Sequence, residues 1–240
     1  MNIKYLKKMS VLGGFILLLF LPIHLSGDVH PQGGVETYMG ANNLFLFTPW
    51  VGMRIGLSSS SSLLFKYYSH NIRFDFMNEE GKETRRKARL SNFTAVFYTQ
   101  KWNHDFYSAC SYFLGTDSYQ AVALDAGTEL RLSDWLSAVT GIYYLNEKSV
   151  LWYPDEETRR ISIYSLKGGV KVKIIKGLYL FPKFNFYVNS EDVRARSYHI
   201  GLQVNPLEPI YLSLSYYRYT ESARYKFSGN YFHVGLNFYY

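Results

Sequence analysis

The stretch KVKIIKGLYLFPKFNFYV, residues 171–188, decides the fold. From Leu178 onward one face of an extended chain carries Leu178, Leu180, Pro182, Phe184, Phe186 and Val188. The other carries Tyr179, Phe181, Lys183, Asn185 and Tyr187. A period of two marks a strand, because successive side chains leave opposite faces. Folding Ile174 back onto Leu178 leaves Ile175-Lys176-Gly177 as the loop, with glycine where a left-handed residue is needed. That register sets Val172 opposite Leu180 and Lys173 opposite Tyr179, so like faces stay matched along both strands.

Working outward, the same rule pairs Leu132 with Leu136 across SDW and Val204 with Ile210 across NPLEP. It predicts about 12 strands between residues 35 and 240, the first three at 35–42, 49–57 and 62–76, and no helix. The third changes phase near YSHN, which predicts a bulge there. NNLFLFTP offers an extension of the first. Tight connections alternate with longer polar ones such as MNEEGKETRRK and KSVLWYPDEET.

A soluble sandwich would turn its apolar face inward and a charged face to water. Here neither face is strongly charged in mid-strand, and glycine, serine, tyrosine and asparagine dominate the mixed one. Such a face suits the lumen of a closed barrel whose other face meets lipid. Short turns at one end and longer loops at the other fit a transmembrane antiparallel barrel. Trp102 and Trp135 fall in short turns, and Trp50 and Trp152 are read as marking the opposite rim.

Residues 1–27 read as a cleaved signal peptide, with Lys4, Lys7 and Lys8 ahead of the apolar run VLGGFILLLFLPI, and residues 28–240 as the barrel. That run is short for a spanning helix, which needs about 20 residues. The chain's formal charge is +7; three lysines and no acid lie in residues 1–27, leaving +4, too weak to imply nucleic acid. A lone Cys110 excludes an internal disulfide.

The last eight residues are His233-Val-Gly235-Leu-Asn-Phe238-Tyr-Tyr240. They resemble the terminal assembly signal of bacterial outer-membrane β-barrel proteins: a polar residue, glycine two later, and aromatics at the last and third-last positions. The resemblance implies a closing strand read by the barrel assembly machinery, and an outer-membrane location among lipid and lipopolysaccharide. It indicates no subfamily.

Strand parity sends Asp125, Glu129, Arg131 and Glu147 inward, with Lys167, Lys171, Lys173 and Lys183. Two readings of these charges stand side by side. In one, a lysine wall attracts anions within a Debye length of about 8 Å. In the other, the lysines pair with Asp125, Glu129 and Glu36 and fill the lumen. The function read from this is a porin-like channel for small polar solutes, anions included. A non-conducting structural, assembly or surface-interaction barrel is the rival, favoured if stacked tyrosines block the lumen. A lipid-modifying enzyme is the third, favoured by an outward Ser–His pair. Outer-membrane acyl hydrolases use His-x-Ser, whereas this chain offers Ser197-Tyr198-His199, reversed and inward, with Ser215 read as the cross-strand partner of His199. His70, beside Ser69 and Asn71, is the other candidate. No spacing suggests a metal site, and no glycine-rich loop suggests a phosphate cofactor. The cluster KETRRKAR, 82–89, reads as an outer loop sharing charge with Glu79, Glu80 and Glu83. Lipopolysaccharide phosphates on Arg85, Arg86 and Arg89 are the alternative there.

Overall fold

An asparagine pair sets the first turn. Asn42 and Asn43 both adopt left-handed backbone, φ 57° and 51°, in the three-residue loop between Gly40 and Leu44, a conformation asparagine tolerates. Leu44 N–H closes the turn on the Ala41 carbonyl at 3.1 Å. The structure, a computed structural model, describes residues 28–77, 83–151, 158–222 and 227–239. The signal segment, Trp152 and Tyr240 therefore lie outside the described residues.

Twelve strands are described: β1 (Val29–Gly40), β2 (Leu44–Gly56), β3 (Ser61–Met77), β4 (Glu83–Lys101), β5 (His104–Gly115), β6 (Gln120–Arg131), β7 (Leu136–Ser149), β8 (Arg159–Ile175), β9 (Leu178–Asn189), β10 (Arg194–Leu207), β11 (Ile210–Glu221) and β12 (Gly229–Tyr239). Each pairs antiparallel with its sequence neighbour, and β1 closes on β12. Gly33 partners Phe238 and Glu36 partners Gly235 in that closing ladder. Closure leaves no strand edge, and in lipid each unpaired backbone group would cost several kcal/mol. Outside, Leu166 and Ile200 are 62% and 56% exposed in mid-strand, part of an apolar belt that only lipid would cover.

The β8–β9 register matches the reading from sequence: Val172 partners Leu180, Lys173 partners Tyr179, and Gly169 partners Lys183. The Ile174–Leu178 pairing is corrected: past an irregularity between Lys173 and Ile175, Ile175 partners Leu178, and the turn tightens to Lys176-Gly177, with Gly177 at φ +80°. The Val204–Ile210 pairing is corrected. Val204 partners Leu212, and β10 runs on to Leu207, which partners Ile210 past a bulge. The shift of two preserves parity but changes partners, so His199 lies opposite Tyr217 rather than Ser215.

The first hairpin also differs from expectation. β1 starts at Val29 and β2 at Leu44, because the Asn42-Asn43 turn comes earlier than the reading placed it. HPQGG, ahead of the expected start at residue 35, then lies inside a strand. Gly34 is needed there: a Cβ would sit 2.7 Å from the Trp50 indole nitrogen. Trp50 is accordingly no rim residue. It is 3% exposed inside the barrel, donating to Asn237 Oδ1 at 3.0 Å.

β3 carries no bulge, and its pairing with β4 is continuous from Ser61–Thr99 to Met77–Glu83. The phase change has another cause. Apolar residues leave the lipid face (Leu63, Phe65) and reappear inside as Ile72, Phe74 and Phe76. There they pack with Ala88, Leu90, Tyr119, Ala121 and Leu151. β4 likewise absorbs residues 83–89, so that basic cluster is strand rather than loop.

Candidate functional site

The interior wall formed by β6 to β9 brings the charged residues together. Lys167 Nζ lies 2.7 Å from Asp125 Oδ2, and Lys171 Nζ 3.1 Å from Glu129 Oε1. Each contact reaches across β7; the β7 partner of Lys167 is Gly141, which has no side chain to obstruct it, and that of Lys171 is Ser137. Arg131 pairs with Asp105 at 3.1 Å on the neighbouring strand. Lys173 is exposed at the short-turn end. The pairing reading therefore holds for Lys167 and Lys171. Glu36 does not join this wall: it accepts from Tyr38 at 3.3 Å and lies 3.9 Å from His233 Nε2.

Lys183 differs from its neighbours. Among the described residues it has no carboxylate partner. Gly169 opposite leaves room for its chain, since a Cβ there would meet Lys183 Cγ at 2.9 Å. Its Nζ lies 5.2 Å from the centre of the Phe181 ring. It lines a cavity of about 530 Å³ together with Lys167, Asn185, His199, Tyr217 and His233. A second cavity of about 1060 Å³ occupies the short-turn end, lined by Arg54, Tyr98, Asp105, Tyr107, Glu129 and Arg131 among others.

Strand register also brings in residues that the sequence reading missed. Lys66 sits on the inward row of β3, with Nζ 4.3 Å over the Trp50 ring. Arg54 and Asp105 share the inward parity. Correct placement of the first turn would have put Trp50 in mid-strand and Arg54 on its face. Counting the inward rows below the apolar cluster, seven cations (Arg54, Lys66, Arg131, Lys167, Lys171, Lys173, Lys183) face four anions (Glu36, Asp105, Asp125, Glu129), an excess of three.

The hydroxyl–imidazole contacts lie inside as well. Ser215 Oγ is 3.2 Å from His233 Nδ1, and Thr48 Oγ1 is 3.0 Å from His70 Nδ1. The Ser215–His233–Glu36 order resembles a nucleophile relay, but at 3.9 Å the carboxylate makes no hydrogen bond to the ring, whose Nε2 has no partner. Ser197 is buried and held by Asn185 Nδ2 at 3.0 Å. Neither pair is outward, the placement that would have favoured lipid chemistry. Of the terminal residues, His233 lies against Tyr38 inside, the rings 4.3 Å apart and tilted by 33°. A Cβ on Gly235 would come within 2.5 Å of Ser213 Oγ, and Phe238 is the Cα partner of Ile210. Among the described residues no His, Cys, Asp or Glu group could hold a metal.

No family model matches the chain, and no curated protein matches it in sequence. Its fold does match solved structures. An outer-membrane channel from Pseudomonas putida F1 superposes with TM-score 0.69 at 9% identity, covering 92% of this chain and 97% of that one. The KdgM porin, solved in complex with disordered oligogalacturonate, gives 0.58 at 10% identity over 86% and 98%. The translocator domain of the autotransporter NalP from Neisseria meningitidis gives 0.60 at 12% over 98% and 97%. The chain has the fold of a bacterial outer-membrane β-barrel: closed, antiparallel and twelve-stranded. A channel, a porin and a translocator share that architecture, so function has to be argued from the lumen.

Proposed function

We propose that the protein is a narrow porin-like channel of the outer membrane, passing small polar solutes and favouring anions. The short-turn end faces the periplasm, as in barrels of this type. One observation carries the reading: Lys183 faces an interior cavity without a carboxylate partner, on a wall where Lys167 and Lys171 are both paired. An uncompensated lumen cation attracts anions and holds back cations within roughly 8 Å at physiological salt. The porin likeness agrees with this reading without naming a solute. Assembly of the barrel by the cell's barrel assembly machinery, through the strand carrying His233, Gly235, Phe238 and Tyr240, belongs to the same proposal.

Single-channel recording of refolded protein under a salt gradient tests it. Steady conductance with an anion-selective reversal potential is expected. Lys183→Glu and Lys171→Glu, each of which cuts the lumen's excess of cations, should weaken that selectivity. A folded barrel without conductance would refute the channel and leave the structural reading. Two observations favour that second reading: the apolar cluster at the long-loop end and the stacking of Tyr217 on Tyr231, 4.9 Å apart at 6°.

A further inference from the structure

The outer surface of β3 and β4 leaves a group of cations unanswered. Along this pair the outward row passes from Tyr67 and Phe93, rings 5.0 Å apart, through Ser69 and Ser91 toward the long-loop rim. It then reaches Asn71 opposite Arg89 and Arg73 opposite Lys87. Arg73, Lys87 and Arg89 are all exposed. Like charges placed directly opposite destabilise a strand pair. Among the described residues none of these three cations has an ion-pair partner. One step further out, Asp75 and Arg85 do pair, at 3.0 Å. The rim thus neutralises one cation and leaves three clustered.

On the adjoining strand, Phe45 is the Cα partner of Arg73, whose guanidinium lies 5.5 Å from the ring centre. Phe47, two residues nearer mid-barrel on the same face, is 38% exposed. An apolar surface capped by opposed cations at the end of a lipid belt matches a molecule with acyl chains below and phosphate above. Guanidinium and ammonium groups bind phosphate through short charge-assisted hydrogen bonds.

We infer that Arg73, Lys87 and Arg89, with Phe45 and Phe47 beneath them, form a binding site for a phosphorylated glycolipid of the outer leaflet, the lipopolysaccharide type. The site rests on the membrane placement of the barrel and is independent of whether the lumen conducts. Its ligand would relieve the repulsion between Arg73 and Lys87 as well as fill the apolar face.

The test is titration of the refolded barrel in zwitterionic micelles with bis-phosphorylated lipid A, with its dephosphorylated form and with inorganic phosphate. The thermal unfolding temperature is followed by gel mobility. Lipid A should raise it with dose, and neither of the other two should. The double variant Arg73→Gln/Lys87→Gln should lose roughly tenfold or more in apparent affinity, equivalent to about 1.4 kcal/mol or more. It should be at least as stable as the parent without lipid. Lys176→Gln, in the turn at the opposite end, should respond like the parent. An equal response from the double variant, or from dephosphorylated lipid, overturns the site. Inorganic phosphate acting as well as lipid A would make it a free-anion site and overturn the lipid assignment. Should the double variant fail to refold, Arg89→Gln is expected to show a smaller loss, and an unchanged response there overturns the proposal.

Discussion

The two ends of the same interior are built from opposite materials. Near the short turns, Arg54, Asp105, Glu129 and Arg131 line a cavity of about 1060 Å³, and charges meet across strands. Near the long loops, Phe74 is 0% exposed and packs on Phe76 at 5.0 Å and Phe227 at 5.7 Å, in a cluster that would suit a soluble core. Both ends obey one inward parity. Lipid dictates the outside of such a barrel but leaves the inside free, so one lumen can hold water at one level and packed hydrocarbon at another. The packed end braces the rim where β3 and β4 outrun the roughly 9–11 residues needed to cross a bilayer.

The contrast can be broken most directly at Phe74. Phe74→Ala should destabilise the refolded barrel by about 3–5 kcal/mol in urea unfolding, the range for emptying an aromatic core site. A loss under about 1 kcal/mol would mean the outer end is not a core. A smaller effect is expected at Tyr119, whose hydroxyl donates to Glu147 Oε2 at 2.9 Å inside the cluster. Tyr119→Phe should cost about 1.5–3 kcal/mol by the same assay, as for a buried hydrogen bond to a charged group.

At the charged end the expected balance is reversed, with little effect on stability and more on conduction. Asp125 and Lys167 keep side-chain exposures of 27% and 30%, so Asp125→Asn should change stability by less than about 1 kcal/mol. It frees Lys167, and the reversal potential should move further toward anions. An unchanged potential would place that pair off the conducting path.

The smallest effect lies at the rim. Hydrogen bonds from Arg85, and after that from Asn43, hold the Asp75 carboxyl below the ordinary range. A depressed carboxyl stabilises the fold above its unfolded pKa, about 3.9, and loses that contribution as pH falls through the lower folded value. Hydrogen exchange of the outer β3–β4 amides should therefore be slower than in Asp75→Asn from neutral pH to about 4. The two proteins should converge below that. A difference that persists at pH 2 would contradict the ion pair.

Period-two alternation, short turns and a mixed inner face determined the barrel, its antiparallel order and the inward parity of Asp125, Glu129, Lys167, Lys171 and Lys183. These are local properties: each strand's two faces meet different solvents, and the chain records that directly. Hairpin registers at Lys173–Tyr179 and Arg131–Ser137 were legible because the loops are short. The register at NPLEP was less so, because a bulge absorbs residues without disturbing either face. Only the tertiary structure decided which charges meet. Lys167 reaches Asp125 over an intervening strand, and no spacing along the chain encodes a contact across β7. The same holds for Trp50, an interfacial residue by composition and an interior one by closure. Once β1 meets β12, Gly34 and Asn237 make the space and the hydrogen bond that keep its indole inside.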